Sequence, residues 1–172
     1  MKKILKFVAF SAILLMLVGS FFSCNDKEQV EYLPFETYLL SPSESNPIEY
    51  PLDETSCQWT NLSYRNELIV INSDEEMKKY VDCPDGVHYP DIDFSKYTLL
   101  LANGYTSAVP FKIEDTTFSK YSTGRYTLNL IIHYGFTRVI GHWHISILVP
   151  KIANEAIVEL DAQFLQDDCP PM

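Results

Sequence analysis

Glycine is scarce in this chain, with six among 172 residues. A loop that cradles phosphate needs several glycines close together, so a nucleotide-binding loop of that kind is excluded. Gly-X-Ser-X-Gly, His-Glu-X-X-His and Cys-X-X-Cys are also missing. Their absence removes the local signatures of serine hydrolases, zinc proteases and dithiol redox proteins. Catalytic triads do assemble from distant positions, yet the balance moves from enzyme toward binding module. Positive charge is sparse too: 13 Lys and Arg stand against 23 Asp and Glu, a net −10. An acidic chain repels phosphate backbones, so no nucleic acid partner is expected. Finally, no apolar run approaches the ~20 residues that a membrane-crossing helix needs.

What is present begins at the amino terminus. Lys2, Lys3 and Lys6 precede an apolar run of twelve from Phe7 to Val18, broken only by Ser11, and Gly19, Ser20 and Ser23 follow it. This is the layout of a secretory signal. The stretch Phe21 to Cys24 resembles the lipobox of bacterial lipoproteins, although Phe21 and Phe22 stand where Leu and a small residue are usual. The resemblance implies cleavage before Cys24 and acylation of that cysteine, which makes a membrane the first expected partner. Removing the 23-residue leader (1–23) takes away three lysines and no acid, leaving 149 residues and a net charge of −13. That length suffices for one domain with a real core. Residues 24–55 are acidic, carry Pro34, Pro42, Pro47 and Pro51 and read as a tether. The segment Asn25 to Glu28 is similar to the charged export signal of Bacteroidetes surface lipoproteins. The expected location is the cell envelope, anchored by lipid to the outer membrane and displayed at the surface.

Export also bears on the cysteines, because disulfides persist in an oxidising compartment. With Cys24 acylated, Cys57, Cys83 and Cys169 remain. Cys57–Cys83 is the expected bridge, since both lie in the folded region and flank one strand–helix unit, leaving Cys169 over. Closing that loop is worth ~3.5 kcal/mol on the chain-entropy model.

Residues 56–165 read as the folded domain, with 166–172 as a tail. Leu68 to Ile71 form a continuous apolar run suited to a strand covered on both faces. Ser73 with Glu76 three residues on makes a capping box, and Met77, Tyr80 and Val81 recur at helical spacing. A second apolar run, Tyr97 to Ala102, stops at Asn103-Gly104. Ala108 to Glu114 alternates weakly. In Arg125 to His133, residues Tyr126, Leu128, Leu130 and Ile132 face one way while Thr127, Asn129, Ile131 and His133 face the other. His142 to Pro150 repeats the pattern with Trp143, Ile145, Ile147 and Val149 inward and His142, His144 and Ser146 outward, and Ala156 to Leu160 supplies one more strand. The expected fold is α+β: a mostly antiparallel sheet with one short helix packed on its apolar face.

Two of these stretches, Glu67–Tyr80 (ELIVINSDEEMKKY) and Pro90–Leu100 (PDIDFSKYTLL), resemble small lipoproteins of Bacteroidetes. Those in turn are similar to the C-terminal domain of a protease-complex accessory subunit of spirochaetes. The resemblance covers about Cys57 to Leu160, with His142 to Lys151 matching the closing strands. It implies a fold and a location, and brings no catalytic residue. A role as accessory subunit or inhibitor of a protease complex follows from the likeness alone.

Four constellations carry possible chemistry. His133, His142 and His144 fall on one polar face if their strands pair as a hairpin, and three imidazoles at that spacing suit zinc; the plainer reading is a solvated face that happens to carry histidines. Asp91 and Asp93 present two carboxylates, which either perform acid–base work or fix the turn before Tyr97; the turn is favoured. Trp59, Tyr64, Tyr105, Tyr134 and Phe136 lie in or near loops, where aromatics dock protein or glycan partners or cover an open sheet face. Asp115-Thr116-Thr117 matches a short O-glycosylation motif of Bacteroidetes secreted proteins, with Thr116 as acceptor. The leading expectation is a non-enzymatic, lipid-anchored envelope protein that binds another macromolecule and needs no cofactor. The alternative is a metal site at the three histidines.

Overall fold

The computed structural model describes residues 28–40, 57–136 and 139–166. The leader, Cys24, most of the expected tether and the Cys169 tail lie outside the described residues. Within them run β1 (Val30–Tyr32), β2 (Glu36–Thr37), β3 (Gln58–Trp59), β4 (Glu67–Ile71), helix α1 (Asp74–Met77), β5 (Val81–Asp82), β6 (Tyr97–Thr106), β7 (Pro110–Tyr121), β8 (Tyr126–Tyr134), β9 (Gly141–Pro150) and β10 (Val158–Gln166).

Two four-stranded sheets face each other. One has the order β1-β7-β8-β10 and the other β2-β9-β6-β4, while β3 and β5 form a separate ribbon. Most ladders are antiparallel, but β10 runs parallel to β8, because β9 crosses to the opposite sheet between them. The main core fills the space between the sheets: Phe118, Leu128, Leu130 and Ile132 from one meet Leu100, Ala102, Trp143, Ile147 and Val149 from the other. Alternation along β8 and β9 places these side chains as the sequence pattern requires.

The second sheet is covered on its other face as well. Leu99, Leu101 and Ile71 pack there against Met77, Val81, Ile92 and the disulfide Cys57–Cys83. Burial on both faces explains why β4 and β6 read as continuous apolar runs. Residue Leu100 belongs to one core and its neighbours Leu99 and Leu101 to the other.

The expected α+β class is corrected by this architecture. Among the described residues strand takes 52% and helix 3%, with no helix of seven or more residues, so the fold is all-β. Half of the capping box forms as expected: the Ser73 hydroxyl accepts from the Glu76 N–H at 3.2 Å, while the Glu76 carboxylate reaches one residue past the cap and accepts from the Asn72 N–H at 2.7 Å. Yet the helix ends after one turn, with only Met77 buried. Val81, expected on its apolar stripe, pairs instead with Trp59 in the ribbon.

Two further expectations change. The Tyr97 strand continues through Asn103-Gly104 to Thr106, and Asn103 is fully buried. The stretch expected as tether is folded over residues 28–40. Val30, Glu31 and Tyr32 pair with Tyr121, Lys120 and Ser119; Leu33 and Phe35 pack on the main core; Glu36 and Thr37 pair with β9. The chain between Cys24 and β1 is therefore only residues 25–29.

Candidate functional site

Residues Thr60 to Asn66 form a loop that folds over one end of the second sheet's outer face. Asn61, Tyr64 and Asn66 all have positive φ, at 56°, 52° and 57°. The left-handed region disfavours a bulky side chain such as Tyr64 and must be held by surrounding contacts. Those contacts are present. The Asn61 amide donates to the Lys79 carbonyl at 2.8 Å, and the Tyr64 N–H donates to Asn103 Oδ1 at 2.8 Å. Glu67 Oε1 accepts from the Ser63 N–H and from Asn103 Nδ2, each at 3.2 Å. The Ser63 side chain's hydrogen bond is the largest influence lowering the Glu67 pKa; burial opposes it, while Asn103 and the Arg65 charge assist.

The loop sets the Tyr64 ring on His142, with centroids 4.3 Å apart. His142 pairs across the ladder with Tyr105, and His144 pairs with buried Asn103. Burial pushes the His144 pKa down, so its ring is neutral at pH 7.

Beyond His142 the same end of the molecule closes in an apex, where the β6–β7 turn meets the β8–β9 loop. Here the Gly135 N–H donates to the Val109 carbonyl at 3.3 Å, and the Thr106 hydroxyl donates to the Ala108 carbonyl. The approach is so close that a Cβ on Gly141 would lie 2.2 Å from Pro110 Cδ and 2.7 Å from Val109 Cα. Braced in this way, the apex turns large apolar side chains to solvent: Val109 is 40% exposed, Phe136 57%, Val139 63% and Ile140 63%. Tyr105, next to His142, is half exposed.

Four of the five expected contact aromatics, Tyr64, Tyr105, Tyr134 and Phe136, thus gather at one pole. Trp59 does not: it sits half-buried in β3 against the second core. Val109, Val139 and Ile140 carry no sequence signal of a contact surface, because a few aliphatic residues near loops are common; only the fold brings them together.

The three histidines do not assemble. β8 and β9 belong to different sheets, so His133 lies on the outer face of one and His142 and His144 on the outer face of the other. His133 Nε2 instead meets Glu114 Oε2 at 3.1 Å. Among the described residues no cluster of His, Cys, Asp and Glu is placed to hold a metal. The hairpin on which a zinc site depended is replaced by a crossing between sheets.

Asp93 is a turn residue. Its carboxylate accepts from the Ser95 N–H at 3.1 Å and hydroxyl at 2.5 Å, and pairs with Lys96 at 2.7 Å. The Lys96 bond, followed by that from the Ser95 hydroxyl, holds its pKa at about 2, which leaves no proton for acid catalysis near neutrality. Asp91 is exposed beside it. Thr116 sits at an irregularity of β7, where the register slips between Glu114 and Thr117 and Asp115 has φ 46°. Among the described residues no helix is long and apolar enough to cross a membrane. No family model, curated protein or solved structure matches this chain.

Proposed function

We propose that this protein is a lipid-anchored envelope protein whose β-sandwich binds a partner protein through the apex, without catalysing a reaction. One observation carries the reading: Val109, Phe136, Val139 and Ile140 form an exposed apolar group on a braced scaffold, continued by Tyr105 and by Tyr64 over His142. Apolar side chains clustered in this way mark interaction surfaces. Apolar anchors ringed by aromatics are the composition of a protein-docking core. A glycan site would instead need aromatic platforms interleaved with hydrogen-bonding groups, whereas three of the four apex residues are aliphatic.

The anchoring part rests on the leader and on Cys24, which together have the layout of a lipoprotein signal, and it gives the envelope, at the outer membrane surface, as the location. The acidity of the chain (net −10) agrees with a partner other than nucleic acid.

Photo-crosslinking in native membranes tests the docking surface. A photoreactive side chain at Phe136 should give a discrete adduct that the same group at Asp161, an exposed site on β10, does not. Ile140→Ser should abolish the adduct. Equal labelling from both positions, or an adduct indifferent to Ile140→Ser, would count against the apex as the docking surface.

A further inference from the structure

We infer that the pole opposite the apex, built from β1, the β7–β8 turn and the start of β10, rests on the membrane that carries the anchor, with Val30, Tyr32 and Ile157 in its headgroup layer. The inference rests on Cys24 being acylated, as proposed above. It goes further by assigning the face of the domain that lipid meets and the direction in which the apex points.

Chain length supplies the first constraint. Residues 25–29 separate Cys24 from β1, and five residues fully extended span at most ~18 Å. The entry is fastened to the turn itself: the Gln29 carbonyl accepts from the Ser122 N–H at 3.0 Å, and Glu28 Oε1 accepts from the Thr123 hydroxyl at 3.0 Å. A free tether of some thirty residues would leave the domain unoriented. Five residues ending on the β7–β8 turn hold that turn within reach of the headgroups, a layer several ångströms deep.

The surface at this pole supplies the second. Val30 is level with Tyr121, and Tyr32 with Ser119. The Ile157 carbonyl accepts from the Tyr126 N–H at 2.9 Å, so Ile157 stands at the same height on the far edge of the sheet. These three side chains are 43%, 73% and 63% exposed and span about 14 Å across three strand spacings. Apolar side chains with a tyrosine among them suit the boundary between headgroups and acyl chains.

Charge there is small and slightly negative, with Glu28, Glu31 and Glu159 against Lys120 and Arg125. Arg125 lies over the Tyr121 ring at 5.0 Å and faces Glu28 and Glu159 at 3.7 Å each, while Lys120 lies over Tyr126 at 5.8 Å. A contact made by apolar and aromatic groups, on a chain of net charge −10, requires no anionic lipid.

The consequence is an orientation. β7 runs twelve residues from the apex to this pole, roughly 35 Å at strand rise. With the pole on the bilayer, Phe136 and Ile140 are held away from it, where a partner protein can reach them.

The test uses the acylated full chain purified from membranes and returned to phosphatidylcholine vesicles, with and without brominated acyl chains. Tyr32→Trp and Ile157→Trp each add a fluorophore at the pole, Phe136→Trp adds one at the apex, and the unsubstituted protein gives the background of Trp59 and Trp143. The expected result is loss of the added emission at positions 32 and 157 in brominated vesicles, and no loss at 136. Acylated, vesicle-bound protein that shows no quenching at 32 and 157, or quenching at 136, overturns the orientation and leaves the anchor standing. Protein that carries no acyl group on Cys24 and fails to float with vesicles overturns the anchor and the orientation with it.

Discussion

The Tyr64 ring lies on His142 at a centroid separation of 4.3 Å, and its own backbone is left-handed at φ 52°. Ring contact and strained backbone oppose each other in energy, so two substitutions separate them. Tyr64→Ala loses the ring and keeps the strain, whereas Tyr64→Gly loses the ring and relieves it. The expected result is that both variants are less stable than the parent, with Gly above Ala by about 1 kcal/mol. Urea unfolding midpoints check the order; Ala at or above Gly would mean that the loop carries no strain at this position.

Gly104 is where β6 passes beneath the largest side chain of the core. A Cβ there would lie 2.0 Å from Asn66 Oδ1 and 2.7 Å from the Trp143 ring. The Asn66 amide can swing away, but Trp143 is fully buried between the sheets and has nowhere to go. Gly104→Ala should therefore destabilise by about 2–3 kcal/mol through overpacking, read as a lowered urea midpoint. Trp143→Phe in the same background should recover part of the loss, because the smaller ring vacates the space.

Asn103 and Gly104 also show what could and could not be read in advance. Asn-Gly reads locally as a strand end, but here Asn103 serves the Tyr64 N–H and Glu67 from within the sheet, partners 39 and 36 residues away. Alternation along β8 and β9 correctly sorted their inward side chains, because a strand's period of two is local. Which sheet each strand joins is not local, and so His133 and His142 were expected together and lie on different sheets. The same holds for α1: the cap at Ser73 was legible, while its stop after one turn depends on Val81 pairing with Trp59. Leu33 and Phe35 sit in an acidic stretch with Pro34 that reads as linker, because their partners, Phe118 and β9, lie far along the chain. The apex was the least legible part of all, being assembled from two loops some thirty residues apart.

The Cys57–Cys83 disulfide was expected and is present, and it fastens the β3–β5 ribbon to the second core. Replacing both cysteines by Ala should lower stability by ~3.5 kcal/mol for a loop of this length. The main core contains neither cysteine. Amide exchange should therefore rise most at Gln58–Trp59 and Val81–Asp82, and least in β8 and β9. Uniform loss of protection across both sheets would show instead that the two cores unfold as one unit.

His144 makes stability depend on pH in a defined direction. Its pKa in the folded protein is lowered by burial, while in the unfolded chain it titrates near the ordinary value of about 6.5. Between those two values the unfolded state binds the proton and the folded state does not. Stability is therefore fully present above the unfolded value and falls as pH drops through it, until the folded pKa is reached. Urea midpoints at pH 7.5 should exceed those at pH 5.5. His144→Gln keeps a polar group of similar reach to the neutral ring and removes the titration, so it should flatten that difference by raising the midpoint at pH 5.5 toward that at pH 7.5. If the slope survives in His144→Gln, another group carries it, and the half-buried imidazole beside Asn103 is not the origin of the pH response.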